Sequence, residues 1–379
     1  MRRVRRSHGV HRRAPLPPLA LDSKRSIARL PELLAELAAA DRELFQRLFR
    51  LTVSEGRLRA PESMHGWLEE RFGGLGEVER QGVVRMANRW TQEETVFNPL
   101  RGRRPRQTEA PSPSQTGGDP LDRPLELTPE DVFGRIQGEH CLTAANVAKA
   151  DGWHGIIIFR EPDPLAFTQE SLRDCLETAR RWWRAVHEQD GEAVYPLLFW
   201  NCGAPAGASL RHAHAQVMLA RGRHFGGIER LRAAAQEYRA VHGSDYFRDL
   251  VRVHAALGCA FTREGVAVLA SLVPVKEREV TLIAPPPGDG LADVLYAVLD
   301  CYRSRLAVRS FNLALFGLPL AATEDDWQRV PLVVRLVQRG GSGGAASDIG
   351  AMELFAAGIV SHDPFELAEA LAASLEGQR

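Results

Sequence analysis

The sequence predicts an α+β fold of two related halves, preceded by a small helical N-terminal extension. From residue 131 onward, short apolar runs typical of buried strands alternate with longer amphipathic segments typical of helices. This series of strand and helix signals occurs twice along the chain, which favours two related halves. The length of 379 residues agrees with one large or two modest domains.

The N-terminal part of the chain differs in character from the rest. Residues 1–22 contain six arginines followed by three prolines and predict a disordered basic tail; a phosphate-seeking or nucleic-acid-seeking arm is the alternative. Residues 23–95 predict the helical extension, because leucines recur at helical spacing and a further amphipathic stretch runs from Val83 to Trp90. Residues 107–124 are rich in Pro, Ser, Thr, Gly and Gln, which indicates a loop or linker.

The two halves are predicted at residues 96–225 and 226–379. In the first half we expect strands at 155–159, 195–200 and 212–218 and a helix at 169–187. In the second half we expect strands at 265–272, 280–284, 311–316 and 332–337 and helices at 227–242, 291–306 and 364–375.

Composition excludes several classes of function. Lys+Arg and Asp+Glu balance at 48 each, so no overall field attracts nucleic acid or a membrane surface, and we expect neither as a partner. The chain contains no apolar run of the roughly 18 residues that a membrane span needs, and its N-terminus has no apolar signal core. The five cysteines are scattered and form no CxxC pair, which suits a reducing compartment. We therefore expect a cytoplasmic protein.

The most informative stretch is residues 201–218, which read NCGAPAGASLRHAHAQVM. Two-residue spacing places His212, His214 and Gln216 on one face of a strand. A neutral imidazole is a good nucleophile towards phosphorus near neutral pH, so we predict His214 as the nucleophile. The Gln216 amide would donate to a phosphate oxygen, and His212 would orient or pack beside the nucleophile.

The glycine-rich run before this strand predicts a phosphate-binding turn. Small residues at Gly203, Gly207 and Ser209 let the backbone approach a phosphate, and the Ser209 hydroxyl is a further donor. Taken alone, two histidines at this spacing are more often a metal-binding pair or two satisfied polar residues, and a glycine run alone is usually only a turn. The combination with Gln216 and with Asn201 before the run favours phosphate chemistry.

The pattern NxGxxAGASxxHxHxQ over residues 201–216 resembles the active-site signature of the galactose-1-phosphate uridylyltransferase family. This family is a branch of the histidine-triad superfamily, and ADP-glucose phosphorylases and dinucleoside tetraphosphate phosphorylases carry close variants. The similarity extends from about Asn98 to the C-terminus. It implies two tandem histidine-triad-like halves with antiparallel sheets and packed helices, and a ping-pong reaction through a nucleotidyl-histidine at His214.

The resemblance also implies roles for residues outside this stretch. Residues 98–107, NPLRGRRPRQ, resemble a segment whose arginines meet the nucleotide phosphates, which assigns Arg101 and Arg104 to that role. Asn146 resembles the nucleotide-side asparagine of the family, and His154 stands where histidine-triad relatives often have a histidine, as a structural or phosphate-edge residue. On the acceptor side, Asn312 lies in a segment that resembles the S[FY]N of the second half, Glu353 in one that resembles the GxE near the sugar site, and Arg335 faces either solvent or the acceptor phosphate.

The sequence departs from the family pattern at its metal sites. Relatives with a structural zinc supply an upstream CxxC pair and a histidine after the first strand, whereas residues 121–127 contain no cysteine and residues 160–164 no histidine. We therefore expect no zinc and no other cofactor, and a polar or packing role for His212. The late strand at 330–335 lacks the HxH of a second metal site, and the hexose-contacting stretch is replaced by the glycine-rich residues 340–346.

Three functions follow from these observations. The first is a nucleotidyltransferase that moves UMP or AMP from a nucleoside diphosphate sugar to a phosphate or sugar 1-phosphate. The second is a dinucleoside polyphosphate phosphorylase or hydrolase that uses the same covalent step. The third is a nucleotide-binding module without turnover. The resemblance implies a homodimer, and it leaves the base, the sugar and the acceptor open.

Overall fold

A computed structural model of the chain describes residues 25–100, 118–340 and 349–376. These residues form antiparallel sheets with packed helices, which confirms the predicted α+β class. The strands are β1 (Phe49–Arg57), β2 (Arg80–Asn88), β3 (Glu94–Phe97), β4 (Cys141–Ala145), β5 (His154–Phe159), β6 (Ala193–Cys202), β7 (His214–Arg221), β8 (Ala260–Arg263), β9 (Val266–Ala270), β10 (Val280–Ala284), β11 (Phe311–Phe316), β12 (Leu332–Gln338) and β13 (Gly358–Val360).

The helices are distributed over both halves and the extension. They are α1 (Leu30–Glu36), α2 (Ala39–Leu48), α3 (Glu62–Phe72), α4 (Leu75–Glu79), α5 (Pro124–Leu127), α6 (Gln169–Gln189), α7 (Gly226–His242), α8 (Tyr246–Ala256), α9 (Leu291–Asp300), α10 (Ala351–Phe355) and α11 (Pro364–Glu376). Within the described ranges, none of them has both the length and the apolar character that crossing a membrane would require.

One nine-stranded sheet runs through both halves. Its strand order is β4-β5-β7-β6-β11-β12-β10-β9-β8, and every neighbouring pair is antiparallel. The first four strands in this order come from the predicted first half and the other five from the second. The halves meet where β6 pairs with β11, with Asn201 opposite Asn312. At this junction, side chains from both halves therefore lie next to each other on the same face of the sheet.

Helix α6 covers one face of the first half. Its N-terminus is fixed by a capping box in which Thr168 accepts from the backbone of Ser171 and Ser171 accepts in return. Trp182 on this helix is fully buried and lies against Gly155 of β5, where a Cβ atom would come within 3.0 Å of the indole. Close packing on this face leaves the opposite face of β5 and β7 for the polar residues.

The N-terminal extension is not purely helical, so that part of the prediction is wrong. Four helices are present between residues 30 and 79, but β1, β2 and β3 form a second sheet in the order β1-β2-β3-β13. The stretch from Val83 to Trp90, predicted as helical, is largely strand β2, in which buried Val84 and Met86 alternate with less buried neighbours. This period of two is the strand pattern, and a segment this short does not distinguish it from a helical period.

The extension is bound to the second half. At its start, Ser26 Oγ donates to Asp363 Oδ2 at 2.6 Å. At the end of β2, Asn88 Nδ2 donates to the hydroxyl of buried Tyr246 at 2.7 Å. The short strand β13 comes from the far end of the chain and pairs in parallel with β3. The extension is thus held against elements of the second half.

Candidate active site

The pairing register of strands β5, β7, β6 and β11 brings the predicted catalytic residues onto one face of the sheet. Gln216 of β7 lies opposite Ile156 on β5 and Phe199 on β6. One step further along both antiparallel strands, His214 and Asn201 occupy the next row on the same face, and Asn312 continues that row on β11. The structure thus brings together the predicted nucleophile, the amide donor and two predicted binding residues.

His214 is held with one ring nitrogen engaged and the other available. Its Nδ1 lies 2.8 Å from the carbonyl oxygen of His212, so in the neutral ring Nδ1 carries the proton and donates it. The Nε2 atom makes no hydrogen bond to any described residue and is not sealed from solvent. Burial lowers the pKa of His214, an effect that the hydrogen bond to His212 partly opposes. The ring is therefore neutral near pH 7, with its lone pair on Nε2.

Gln216 is oriented by His154. The backbone N–H of Ala150 donates to His154 Nδ1 at 3.0 Å, so the ring proton is on Nε2, which donates to Gln216 Oε1 at 2.8 Å. The oxygen of the Gln216 amide therefore faces His154, and its Nε2 makes no hydrogen bond within the described residues. Asn146 Nδ2 lies 3.2 Å from the same His154 nitrogen, which places the predicted Asn146 next to this pair.

The glycine run forms the predicted turn between β6 and β7. Gly203 and Gly207 have φ angles of 84° and 89°, a region that residues with a Cβ rarely adopt. At Gly203 a Cβ would also come within 3.1 Å of Ser310 Oγ, whose hydroxyl donates to the carbonyl of Cys202 at 2.8 Å. Ser209 is exposed and makes no hydrogen bond to a described residue, so its hydroxyl is available to a ligand.

His212 does not lie on β7, which begins at His214, but its backbone and ring support that strand. Its Nδ1 lies 2.8 Å from Asp122 Oδ1 and its Nε2 lies 2.8 Å from the carbonyl oxygen of Phe159. Asp119 Oδ2 accepts the backbone N–H groups of Arg211 and His212, each at 2.9 Å. Burial alone would raise the pKa of Asp119, but the hydrogen bonds from backbone N–H groups outweigh burial, and the pKa is lowered.

Sequence reasoning did not single out Asp119 and Asp122. Both lie in residues 107–124, whose composition predicts a loop or linker and does not distinguish single carboxylates. The signal that could have found them is the spacing DxxD in residues 119–122, upstream of the histidine strand.

Arg339, which the sequence did not predict, lies next to the row formed by His214, Asn201 and Asn312. Asn312 Nδ2 donates to Asn201 Oδ1 at 2.7 Å and to the carbonyl of Ala206 at 2.8 Å. The Asn312 oxygen accepts from a guanidinium nitrogen of Arg339, just beyond the end of β12. Arg339 thus brings a cation into the row that starts at His214, and the two asparagines tie the glycine turn to the second half.

Arg335 and Glu353, two predicted acceptor-side residues, both form ion pairs with other side chains. The Arg335 guanidinium lies 2.6 Å from both Glu93 and Glu279 under the extension, its side chain is 25% exposed, and its acceptor-phosphate role stays a prediction. Glu353 forms an ion pair with Lys276 at 3.3 Å and accepts from the backbone of Gly350 at 3.0 Å. No described contact joins Glu353 to the His214 row, and its acceptor role stays a prediction.

Arg101 and Arg104, the predicted phosphate-binding arginines, lie outside the described residues. The segment that leads to them begins at Asn98, whose backbone N–H donates to the carbonyl of Val360 at 3.2 Å. In the described ranges, no three or more His, Cys, Asp or Glu side chains are arranged to hold a metal ion.

Several solved structures have a fold similar to that of this chain. No protein-family model and no curated protein matches the sequence. An ADP-glucose phosphorylase from Arabidopsis thaliana, solved with bound ADP-glucose, superposes with a TM-score of 0.58 at 17% identity, covering 75% of this chain and 97% of that one. A uridylyltransferase structure gives 0.55 at 16% identity, covering 77% and 98%.

A third solved structure, a GalT-like protein from Arabidopsis thaliana, gives a TM-score of 0.54 at 16% identity, covering 66% of this chain and 89% of that one. All three are members of the histidine-triad superfamily. The chain has their fold. The fold implied by residues 201–216 is therefore confirmed, and the His214 row lies on the sheet of that fold.

Proposed function

We propose that the chain is a nucleotidyltransferase that acts through a covalent nucleotidyl-histidine at His214. Its donor would be a nucleoside diphosphate sugar, and its acceptor a phosphate or a sugar 1-phosphate. The proposal is supported by the solved structures of similar fold, which include an ADP-glucose phosphorylase and a uridylyltransferase. The observation that carries it is the state of His214, a buried neutral imidazole with a proton fixed on Nδ1 and an unengaged Nε2.

The chemical step follows from the side chains around that nitrogen. His214 Nε2 attacks the α-phosphorus of the donor, an N–P bond forms, and the P–O bond to the leaving sugar 1-phosphate breaks. An oxygen of the acceptor phosphate then attacks the same phosphorus, and the N–P bond breaks. The Gln216 amide, held by His154, donates to a phosphate oxygen as negative charge develops there. The hydrogen bond from Nδ1 to the His212 carbonyl stabilises the cationic ring of the intermediate.

Isotope exchange tests this mechanism without an acceptor. The protein is mixed with UDP-glucose or ADP-glucose and with labelled glucose 1-phosphate. If a covalent intermediate forms, label enters the nucleotide sugar although no second acceptor is present. The His214→Asn variant should show no exchange. Net transfer that requires both substrates and shows no exchange would contradict the covalent step, and binding without exchange or transfer would favour a nucleotide-binding module.

A second candidate function follows from the acceptor half. Because Arg335 already forms ion pairs with two carboxylates, we infer that it does not hold a sugar phosphate. Inorganic phosphate or water requires no sugar pocket, so the same histidine could serve a phosphorylase or hydrolase of dinucleoside polyphosphates. Phosphate-dependent cleavage of diadenosine tetraphosphate, faster than any transfer from a nucleotide sugar, would favour this candidate.

The state of His214 predicts the pH dependence of the first step. Burial lowers its pKa from the usual value of 6.5, so the nucleophilic neutral form persists below that pH. We expect kcat/KM for nucleotidyl transfer to be level between about pH 7 and 8 and to fall only on the acid side of about pH 6.5. A steady-state pH profile checks this result, and an acid limb centred above pH 7 would contradict it.

The His154–Gln216 hydrogen bond predicts a positioning effect. Replacing His154 with alanine frees the Gln216 amide to rotate, and we expect kcat to fall about tenfold with little change in KM, because one hydrogen bond is lost. His154→Gln, whose amide can still donate near the same point, should recover much of the rate.

Double variants separate positioning from a structural loss. If His154 acts through Gln216, His154→Ala combined with Gln216→Ala should be no slower than Gln216→Ala alone. Losses that multiply in the double variant would show instead that the two side chains act independently.

A further inference from the structure

We propose that Asp119 and Asp122 form a carboxylate clasp that positions His214 without a metal ion, at the place where the family resemblance puts the structural zinc of metal-containing relatives. This inference rests on the proposed function, since positioning the nucleophile affects a rate only if His214 reacts. The clasp is defined by the two carboxylates and by His212, which they hold from its backbone and from its ring.

The first part of the clasp is Asp119. Residues 211 and 212 precede β7, so their N–H groups have no partner in the sheet. Asp119 Oδ2 accepts both, at 2.9 Å each, and Asp119 Oδ1 accepts the N–H of Leu121 at 3.0 Å. One carboxylate therefore satisfies two backbone donors at the entry to the nucleophile strand, where the N–H groups have no acceptor in the sheet.

The second part of the clasp is the ring of His212, which is 7% exposed as a side chain. Its Nδ1 meets Asp122 Oδ1 and its Nε2 meets the carbonyl of Phe159 at the end of β5, each at 2.8 Å. The Phe159 N–H in turn donates to the carbonyl of Ala213 at 3.1 Å. His212 therefore joins the clasp to the neighbouring strand of the sheet.

The clasp reaches the nucleophile through one atom. The carbonyl oxygen of His212 accepts the proton of His214 Nδ1 at 2.8 Å, and this bond sets both the tautomer and the direction of Nε2. With its N–H, both ring nitrogens and its carbonyl engaged, His212 has little freedom to move. A displacement of about 1 Å at a reacting atom can cost about 100-fold in rate, so a fixed carbonyl at this point matters for the reaction.

The same contacts do not fit a zinc ion. A histidine ligand must direct a ring lone pair at the metal, but each ring nitrogen of His212 already has an oxygen 2.8 Å away, Asp122 Oδ1 at Nδ1 and the Phe159 carbonyl at Nε2. Asp119 is engaged with backbone donors, and Cys141, the cysteine that begins β4, contacts Asp174 and Thr178 instead. These residues replace ligand bonds with hydrogen bonds, and we assign to them the positioning that a metal would otherwise provide.

The test compares Asp122→Ala with Asp122→Asn in the full chain. We expect Asp122→Ala to lower kcat about 10- to 100-fold with little change in KM, and Asp122→Asn, which keeps an oxygen acceptor, to recover most of the rate. Glu126→Ala is the matched control, since Glu126 is a similarly exposed carboxylate four residues away whose side chain pairs, among the described residues, with Arg123 alone. Equal rates in Asp122→Ala and Glu126→Ala would overturn the proposal.

Two further measurements need no substrate and separate this proposal from the proposed function. In protein labelled with ¹⁵N-histidine, NMR should report the Nδ1–H tautomer of His214 in the unmutated chain and a mixture of tautomers in Asp122→Ala; an unchanged tautomer would overturn the clasp. Metal analysis of the purified protein should find less than a stoichiometric amount of zinc. One zinc per chain that is lost in Asp122→Ala would identify a metal site and overturn the metal-free clasp.

Discussion

Replacing His214 with alanine or asparagine is expected to abolish nucleotidyl transfer, with a loss of roughly 10⁴-fold or more, the order found when a covalent nucleophile is removed. Among the described side chains beside His214, Asn201 and Asn312 are amides, and each ring nitrogen of His212 already lies 2.8 Å from an oxygen atom. Steady-state rates with UDP-glucose and ADP-glucose as donors measure the loss.

Asparagine at position 214 is the sharper of the two variants. Its amide N–H can replace the hydrogen bond to the His212 carbonyl, so the strand should keep its position while the nucleophile is absent. We expect the thermal midpoint of His214→Asn to lie within a few degrees of the unmutated chain. Transfer at the full rate in this variant would contradict the assignment of the nucleophile, and a rate loss that follows unfolding would not count in its favour.

Replacing Arg335 with alanine is expected to destabilise the chain by about 3–5 kcal/mol, the usual cost of removing one partner from a buried ion pair. Arg335 lies between Glu93, just before β3, and Glu279, whose side chain is fully buried. Burial raises the pKa of Glu279, and the Arg335 guanidinium opposes that rise. Without the guanidinium, two carboxylates remain close together under the extension. Urea unfolding at pH 7.5 measures the change.

The pH dependence of this destabilisation gives an internal check. In the variant, the Glu279 pKa should rise further above its unfolded value, so the protonated form stabilises the folded state at low pH and that stabilisation is lost as the pH rises. The difference between Arg335→Ala and the unmutated chain should therefore grow from pH 5 to pH 8.

An exposed pair provides the control for Arg335. Arg180 and Glu177 lie one helical turn apart on α6 with side chains 41% and 49% exposed, so Arg180→Ala should cost less than about 1 kcal/mol. A similarly small cost for Arg335→Ala would contradict the buried cluster. Loss of transfer at unchanged stability would instead restore the acceptor-phosphate role that the sequence predicted for Arg335.

The shared face of His214 and Gln216 could be predicted from the sequence because the sequence signals for it are local. Two-residue spacing fixes the face that His214 and Gln216 share, and the backbone of the turn needs glycine at Gly203 and Gly207 for reasons that belong to those residues alone. Helix α6 could be predicted for the same reason, because its apolar face repeats over five turns and its capping residue is adjacent in sequence.

The misses came from partners that are distant in sequence. For Arg335 the sequence leaves solvent and the acceptor phosphate open, and it does not reveal the ion pair with Glu93, 242 residues earlier. Strand β3 is four residues long and is completed by β13 from the far end of the chain, a pairing that no local pattern specifies. Asp122 lies 90 residues before His212, in a stretch whose composition indicated only a loop.

Intact-protein mass spectrometry tests the central claim most directly. The chain and its His214→Asn variant are mixed with a nucleoside diphosphate sugar, without an acceptor, and measured within seconds, and the adduct is then mapped to a peptide. We predict a mass gain of one nucleoside monophosphate, located on His214 and absent from the variant. No adduct with any donor, or an equal adduct on the variant, would contradict a covalent mechanism at His214.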